Sequence, residues 1–325
     1  MKKSNALLLS IACLLLIGLY SCKKPTGCID PLACNYDPDA KKDDGSCQGK
    51  SIWYADVDGD GLGNPSDTTS SCTQPVGYVD NGDDLLDAVI EKKAMGLITK
   101  MTATWCGPCG SWGWTLFEDI ISGVSNEALI MGVYSPASSE LTNATAEQWG
   151  NDFNAQGWPS FCVNGKNRTE YSSTGGIFTS TTASNCINAS DSTAGTNPLA
   201  AMTYQKIING STLTVNTATK FYANLSGQYY LGAYIVEDGV IADQSGDAGP
   251  GASHHFVLRG SMDGNVYGTL IKGGSVEANE TIEQTFTMEL DASWVTENIT
   301  VGLVLWNQVN GSYLFMNAYK EEGGH

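Results

Sequence analysis

The chain has 325 residues, with 17 basic side chains against 35 acidic ones and a formal charge of −18 at neutral pH. That balance excludes nucleic acid and an anionic membrane surface as electrostatic partners. The length suffices for two globular domains plus small modules, and ten cysteines make the redox compartment the first question.

The N-terminal segment is not read as fold. Lys2 and Lys3 precede an apolar run from Ala6 to Leu19, short for a membrane span, and Ser21-Cys22 follows. Residues 1–21 read as an export signal, and an exported chain sits where disulfides persist. The small residue before Cys22 resembles a bacterial lipoprotein box. That resemblance implies that Cys22 becomes the acylated N-terminus of an outer-membrane lipoprotein of the cell envelope, periplasm-facing or surface-exposed.

Residues 22–50 contain Cys28, Cys34 and Cys47 with almost no apolar content, so this stretch needs cross-links to hold a shape. With Cys72 these cysteines allow three pairings, and spacing does not choose among them. In residues 51–87, Asp56, Asp58 and Asp60 alternate, Gly61 follows, and Leu62, Asn64 and Asp67 stand at the seventh, ninth and twelfth places. Hard oxygen ligands at that spacing, with glycine at the sixth place, are what a calcium loop requires. A solvated Asp-Gly turn cluster is the alternative. The text from Trp53 to Tyr78 resembles thrombospondin type-3-like calcium repeats, which implies a structural calcium ion, and Asp80, Asp83 and Asp84 are placed to complete its site.

From Asp84 onward apolar periodicity begins. Leu85, Leu86, Val89 and Ile90 predict an amphipathic helix, and Gly96 to Thr102 a strand. Then comes Trp105-Cys106-Gly107-Pro108-Cys109, followed by a helix predicted from about Pro108 to Val124 on the spacing of Trp112, Leu116, Ile120 and Ile121. A cysteine at a helix start meets unpaired N–H groups and the positive end of the helix dipole, which stabilise a thiolate. A second thiol one turn later can resolve a mixed disulfide. A zinc site needs two more ligands, and the histidines at 254, 255 and 325 are far off in sequence. An inert bridge on a helix end is the remaining alternative.

The Trp-Cys-Gly-Pro-Cys run after a hydrophobic strand resembles the thioredoxin superfamily. The resemblance implies catalytic roles for Cys106 and Cys109, with no cofactor for the redox chemistry. It implies a cis-proline loop at Gln156-Gly157-Trp158-Pro159-Ser160-Phe161, with Trp105, Trp158 and Pro159 meeting substrate. Relatives often carry a buried carboxylate six residues before the first cysteine; this chain has Lys100 there. A lysine favours a thiolate and cannot relay the resolving thiol's proton as a carboxylate does.

Further predicted elements are a strand at Ala128 to Tyr134, a helix at Ala144 to Phe153 within a long insertion (135–156), and a helix near 176–189. Cys162 on the strand after Pro159 and Cys186 on that helix are expected to form a structural disulfide, in preference to a second redox pair. Beyond Thr196 the pattern is all-β. Thr212 to Val215 alternates, Ile282, Phe286, Met288 and Leu290 share a face, and Asn209-Gly210, Asp238-Gly239 and Asn310-Gly311 supply hairpin turns. Strands are expected at Tyr229 to Glu237, His254 to Gly260, Ile299 to Asn307 and Ser312 to Tyr319. Adjacent strand residues point to opposite faces, so His254 and His255 read as structural side chains.

The runs Tyr234 to Gly239, His254 to Arg259 and Trp306-Asn307-Gln308, with the dithiol motif and Asn164 to Arg168, resemble the 28-kilodalton outer-membrane-protein-related lipoproteins. This implies an α/β thioredoxin-like domain (88–195) followed by an all-β sandwich (196–325), with small disulfide and calcium modules in front. The expected function is thiol–disulfide exchange on exported protein substrates or a redox partner, from a lipid anchor. The alternative is a non-catalytic lipoprotein that binds a protein or glycan through its β domain and calcium module.

Overall fold

The computed structural model describes residues 24–321 apart from Leu85, Ala137 and Gly175, so the export signal and Cys22 lie outside the described residues. It is strand-rich, with several sheets and two compact units. The first unit takes the described chain up to Ala55 and Pro65–Gly82. Here β1 (Thr26–Gly27) pairs in parallel with β2 (Lys42–Asp43), and β3 (Ser51–Ala55), β4 (Asn64–Ser71) and β5 (Tyr78–Val79) form a sheet in the order β4-β3-β5. Of the three pairings open to the sequence, the structure takes Cys28–Cys47 and Cys34–Cys72. Among the described residues its buried apolar side chains are Cys28, Ala40 and Ala55, so the two bridges replace a core.

The second unit takes Asp56–Asn64 and the chain from Asp83 onward. No helix forms over residues 86–90, contrary to the periodicity there. Ala88 N–H donates to the Leu86 carbonyl, two residues back rather than four, while Leu86 N–H donates to Asp84 (2.7 Å) and Glu283 (3.0 Å). Leu86 and Ile90 are still buried, packed with Ala201 and Ala218. The four-residue spacing reports burial, not helix.

The fully buried strands β6 (Gly96–Thr102) and β7 (Ala128–Tyr134) run parallel, with β8 (Ser160–Val163) antiparallel to β6 and β9 (Lys166–Asn167) beyond it. The dithiol segment is helix α1 (Gly107–Gly110), interrupted at Ser111 and continued as α2 (Trp112–Gly123). Helix α3 (Ala144–Asp152) is capped by the Asn143 side chain on Ala146 N–H, and α4 is Thr179–Ala194. The inward face of α2 is Gly113, Leu116, Phe117 and Ile120. Trp112, expected there, is exposed.

The C-terminal strands are β10 (Ala200–Asn209), β11 (Thr212–Phe221), β12 (Leu225–Glu237), β13 (Val240–Gln244), β14 (Gly249–His254), β15 (Val257–Ser261), β16 (Thr269–Val276), β17 (Thr281–Glu289), β18 (Ile299–Val309) and β19 (Ser312–Tyr319). All three glycine turns stand where expected, with positive φ at Gly210, Gly239 and Gly311. The strand expected over His254 to Gly260 is broken by Phe256, whose φ of 57° is left-handed.

That break joins what the sequence divides at residue 196. Gly132 N–H of β7 donates to the Phe256 carbonyl at 2.6 Å, and β15 pairs β7 in parallel at Val257 and Gly132. One sheet therefore runs β19-β18-β12-β15-β7-β6-β8-β9, with β16 on β12. The two expected domains share it, and a common core mixes Leu97, Met131 and Trp149 with Tyr234, Leu258 and Trp306. The sandwich exists on one side only. There β10-β11-β17 faces β12 and β18 across Leu213, Val215, Leu231, Ile235, Val301 and Leu303.

Candidate functional site

Strand β6 ends at Thr102, and the chain turns into α1 with Cys106 as the helix N-cap, in an extended conformation (φ −82°, ψ 108°). Its sulfur occupies the place of a capping oxygen, accepting the Cys109 N–H at 3.2 Å. Cys106 and Cys109 form a disulfide. The interruption at Ser111 confines the aligned dipole at Cys106 to one helical turn, less than the unbroken helix predicted from the sequence would supply.

The Trp158–Pro159 peptide is cis and faces this bridge. The Trp158 carbonyl lies 3.4 Å from the Cys106 sulfur, and the Trp158 ring meets Trp105 edge-on at 6.0 Å between centroids. Gly113 makes this approach possible, since a Cβ there would sit 2.7 Å from Pro159 Cγ. Trp105, 47 % exposed, is held by its ring N–H on Ser138 Oγ (3.0 Å), so Ser138 of the insertion borders the site.

The other side is closed by residues far away in sequence. The β13–β14 hairpin lays its tip, Gln244 to Ala248, across the dithiol turn. Gln244 Nε2 donates to the carbonyls of Ala103 (3.2 Å) and Cys106 (3.0 Å). Ser245 N–H donates to Thr104 O (2.7 Å) and Ala248 N–H to Gly110 O (3.2 Å). Gly246 is required, because a Cβ there would strike the Gly107 carbonyl. Between tip and cis-proline loop, Cys106 is only 3 % exposed. No sequence signal pointed to Gln244 or Gly246; Gly113 was visible only as a glycine in a helix.

Beneath the site, Lys100 is buried with its ammonium 5.0 Å from the ring centres of both Trp114 and Phe117. Burial pulls its pKa down to about 8, with Glu118 opposing. His254 is fully buried, with Nδ1 2.6 Å from the Tyr134 hydroxyl and Nε2 3.2 Å from the Ala242 carbonyl, and burial lowers its pKa. His255 is exposed against Asp238, so the two histidines part as alternation requires.

The disulfide expected between Cys162 and Cys186 is absent; both are free, buried thiols. On β8, Phe161 and Val163 face the core that holds Cys186, whereas Cys162 points into the core on the other face. Strand alternation separates the sulfurs. Burial pushes both thiols up to about 12, so neither is a nucleophile at neutral pH.

The acidic loop forms as a series of side-chain turns: Asp56 accepts Gly59 N–H, Asp58 accepts Asp60 N–H, and Asp60 accepts Leu62 N–H. One carboxylate oxygen from each of Asp56, Asp58 and Asp60 lies within 4.8 Å of the other two, and the same holds for Asp58, Asp84 and Asp87. Those separations suit ligands around a hard cation at about 2.3–2.6 Å. Of the other expected ligands, Leu62 and Asn64 lie in the loop and offer no carboxylate, while Asp67 is exposed on β4 in the first unit. Asp87 was not singled out in the sequence, although it stands in the same acidic run. Asp84 is 5 % exposed, and its Oδ2 meets no N–H or hydroxyl donor among the described residues. Burial pushes it up to about 7, with Glu283 adding to the shift; burial also pushes Asp58 up to about 6, with Asp60 adding.

Fold and site together define a strand-rich protein with a disulfide-bonded Cys-Gly-Pro-Cys turn opposite a cis-proline peptide. No protein-family model matches the sequence, and no curated protein matches it. Among solved structures the chain is similar to HBP35 of Porphyromonas gingivalis, with a TM-score of 0.56 at 15 % identity over 71 % of this chain and 76 % of that one. This is a likeness of fold. A domain of the outer membrane lipoprotein Omp28 from Porphyromonas gingivalis also matches, with a TM-score of 0.27 at 13 % identity over 38 % of this chain and 86 % of that one, too slight an overlap to bear on the fold. Among the described residues no helix is long and apolar enough to cross a membrane.

Proposed function

We propose that this protein is a thioredoxin-like thiol–disulfide oxidoreductase of the cell envelope, anchored through lipid on Cys22 and acting on exported proteins. The observation that carries the reading is the Cys106–Cys109 bridge at a helix start, with the Trp158 carbonyl and the cis Trp158–Pro159 peptide against the Cys106 sulfur. In the reducing direction the Cys106 thiolate attacks a substrate disulfide, forms a mixed disulfide and expels the other substrate sulfur, which takes up a proton. The Cys109 thiolate then attacks the Cys106 sulfur, and the substrate leaves as a dithiol with two electrons gained. The reverse sequence oxidises a substrate dithiol. Trp158 and Pro159 dock the substrate chain and Trp105 flanks it. In the same reading a structural Ca2+ sits among Asp56, Asp58 and Asp60.

Exchange in either direction requires a path to the sulfur of a residue only 3 % exposed, so the Gln244–Ala248 tip lifts or Trp105 swings aside during turnover. The test is reduction of insulin by dithiothreitol with catalytic amounts of the protein. Acceleration that vanishes in Cys106→Ser supports the proposal; a rate unchanged by that substitution overturns it.

The burial of Cys106 under the hairpin favours a second reading, a binding protein with the bridge as a structural staple. It predicts a dithiol that resists alkylation after reduction of the folded protein.

A further inference from the structure

We propose that Asp58, Asp84 and Asp87 hold a second divalent cation of the hard, oxygen-preferring class, and that this ion clamps the Asp56–Asn64 loop onto the β10-β11-β17 sheet. The inference rests on the calcium reading of the loop and assigns it a second seat and a structural consequence.

Three observations carry it. First, the three carboxylates converge within 4.8 Å from two separate chain segments, which is costly for like charges without a cation between them. Second, Asp84 Oδ2 is a buried acceptor that meets no N–H or hydroxyl donor among the described residues, in a residue 5 % exposed and belonging to that cluster. A buried carboxylate oxygen without a donor is a destabilising feature that a bound cation would relieve. Third, the two segments are already aligned. Val57 N–H donates to Asp87 Oδ1 at 2.7 Å, and Asp84 N–H donates to the Gly63 carbonyl at 3.2 Å.

The sheet enters through Leu86 and Glu283. Leu86 N–H is shared by Asp84 Oδ1 and by Glu283 Oε1 of β17, while the Leu86 side chain packs on Ala201 of β10 and Ala218 of β11. Asp84 is thus fixed on one side by the sheet, and an ion on its Oδ2 would draw Asp58, and with it the loop, to the same place. Glu283 is a positioning residue here, not a ligand. An irregular set of three carboxylates, with water completing the shell, suits Ca2+ better than Mg2+, which demands near-ideal octahedral geometry.

Calorimetric titration of the full chain with Ca2+, beside thermal melts with and without the ion, tests this. The expected result is two Ca2+ per chain, with Asp84→Asn and Asp87→Asn each losing one site by tenfold or more and Asp56→Asn losing the other. Glu283→Gln should keep two ions but shrink the Ca2+-induced rise in melting temperature by at least half. If Asp84 instead shares a proton with Glu283, Asp84→Asn and Asp87→Asn leave the stoichiometry unchanged, and the clamp is overturned while the loop site stands. Loss confined to Asp84→Asn and Asp87→Asn, with Asp56→Asn silent, overturns the loop site and keeps the clamp. A chain that binds no Ca2+ overturns both.

Discussion

The Cys106/Cys109 and Cys162/Cys186 pairs are all buried, yet one is bridged and the other is two separate thiols. Burial does not distinguish them. Backbone direction does: one helical turn brings two sulfurs to one spot, whereas a strand residue and a helix residue meet only if the strand presents the right face. Strand β6 runs beside both. Its Thr99 pairs with Cys162 on β8, while Lys100, one residue on, turns to the dithiol helix and its aromatic rings. Reactivity follows from what surrounds each sulfur: a capping N–H and a cis-proline carbonyl at Cys106, and burial that outweighs the nearby Arg168 charge at the other pair.

The sharpest way to break this contrast is to remove one pair at a time. Cys106→Ser should abolish catalysed exchange, whereas the double variant Cys162→Ala with Cys186→Ala should keep the insulin rate within about twofold. The next largest effect is expected at Lys100. Its folded pKa of about 8 lies below the ordinary lysine value, so the unfolded chain binds more protons between pH 8 and 10.5. Stability from this group therefore rises with pH across that window, by on the order of 3 kcal/mol in total. Lys100→Met should remove that rise, measured as the difference between variant and wild-type denaturant melts at pH 7.5 and pH 10.

A smaller effect is expected at the hairpin tip. Gln244→Ala deletes the donors that tie the tip to Ala103 and Cys106. Loss of about 1 kcal/mol of closing free energy should speed alkylation of the reduced dithiol by roughly five- to tenfold. An unchanged rate would mean that Trp105, not the tip, controls access. Least affected should be the stability of Cys162→Ala, which removes one buried sulfur and should cost about 1 kcal/mol in a urea melt.

How far the sequence could be read follows the same division between local and distant. Strand β6, the Cys106–Cys109 turn, the cis-proline loop and the glycine turns are local patterns, and the chain expresses them within a few residues. The disulfide expected between Cys162 and Cys186 required knowing which face of β8 each residue takes, which a four-residue buried strand with no polar alternation does not reveal. The apolar spacing that suggested a helix at 85–90 reflects burial of Leu86 and Ile90 against Ala201 and Ala218, which lie far away in sequence. The expected boundary at 196 dissolved on one left-handed residue, Phe256, and one parallel register pair. Gln244 closes the site from 138 residues beyond Cys106, with nothing in its neighbourhood to announce it.

Whether the closed dithiol is a working nucleophile is settled most directly by trapping. Cys109→Ser removes the resolving thiol, so an attack by Cys106 on a substrate disulfide stops at the mixed disulfide. Incubation of the folded variant with insulin, acid quenching and mass spectrometry should show one covalent adduct, mapped to Cys106 and released by dithiothreitol. No adduct from the folded variant, with one appearing only after denaturation, would contradict the account and leave the Cys106–Cys109 bridge as a staple at the helix start.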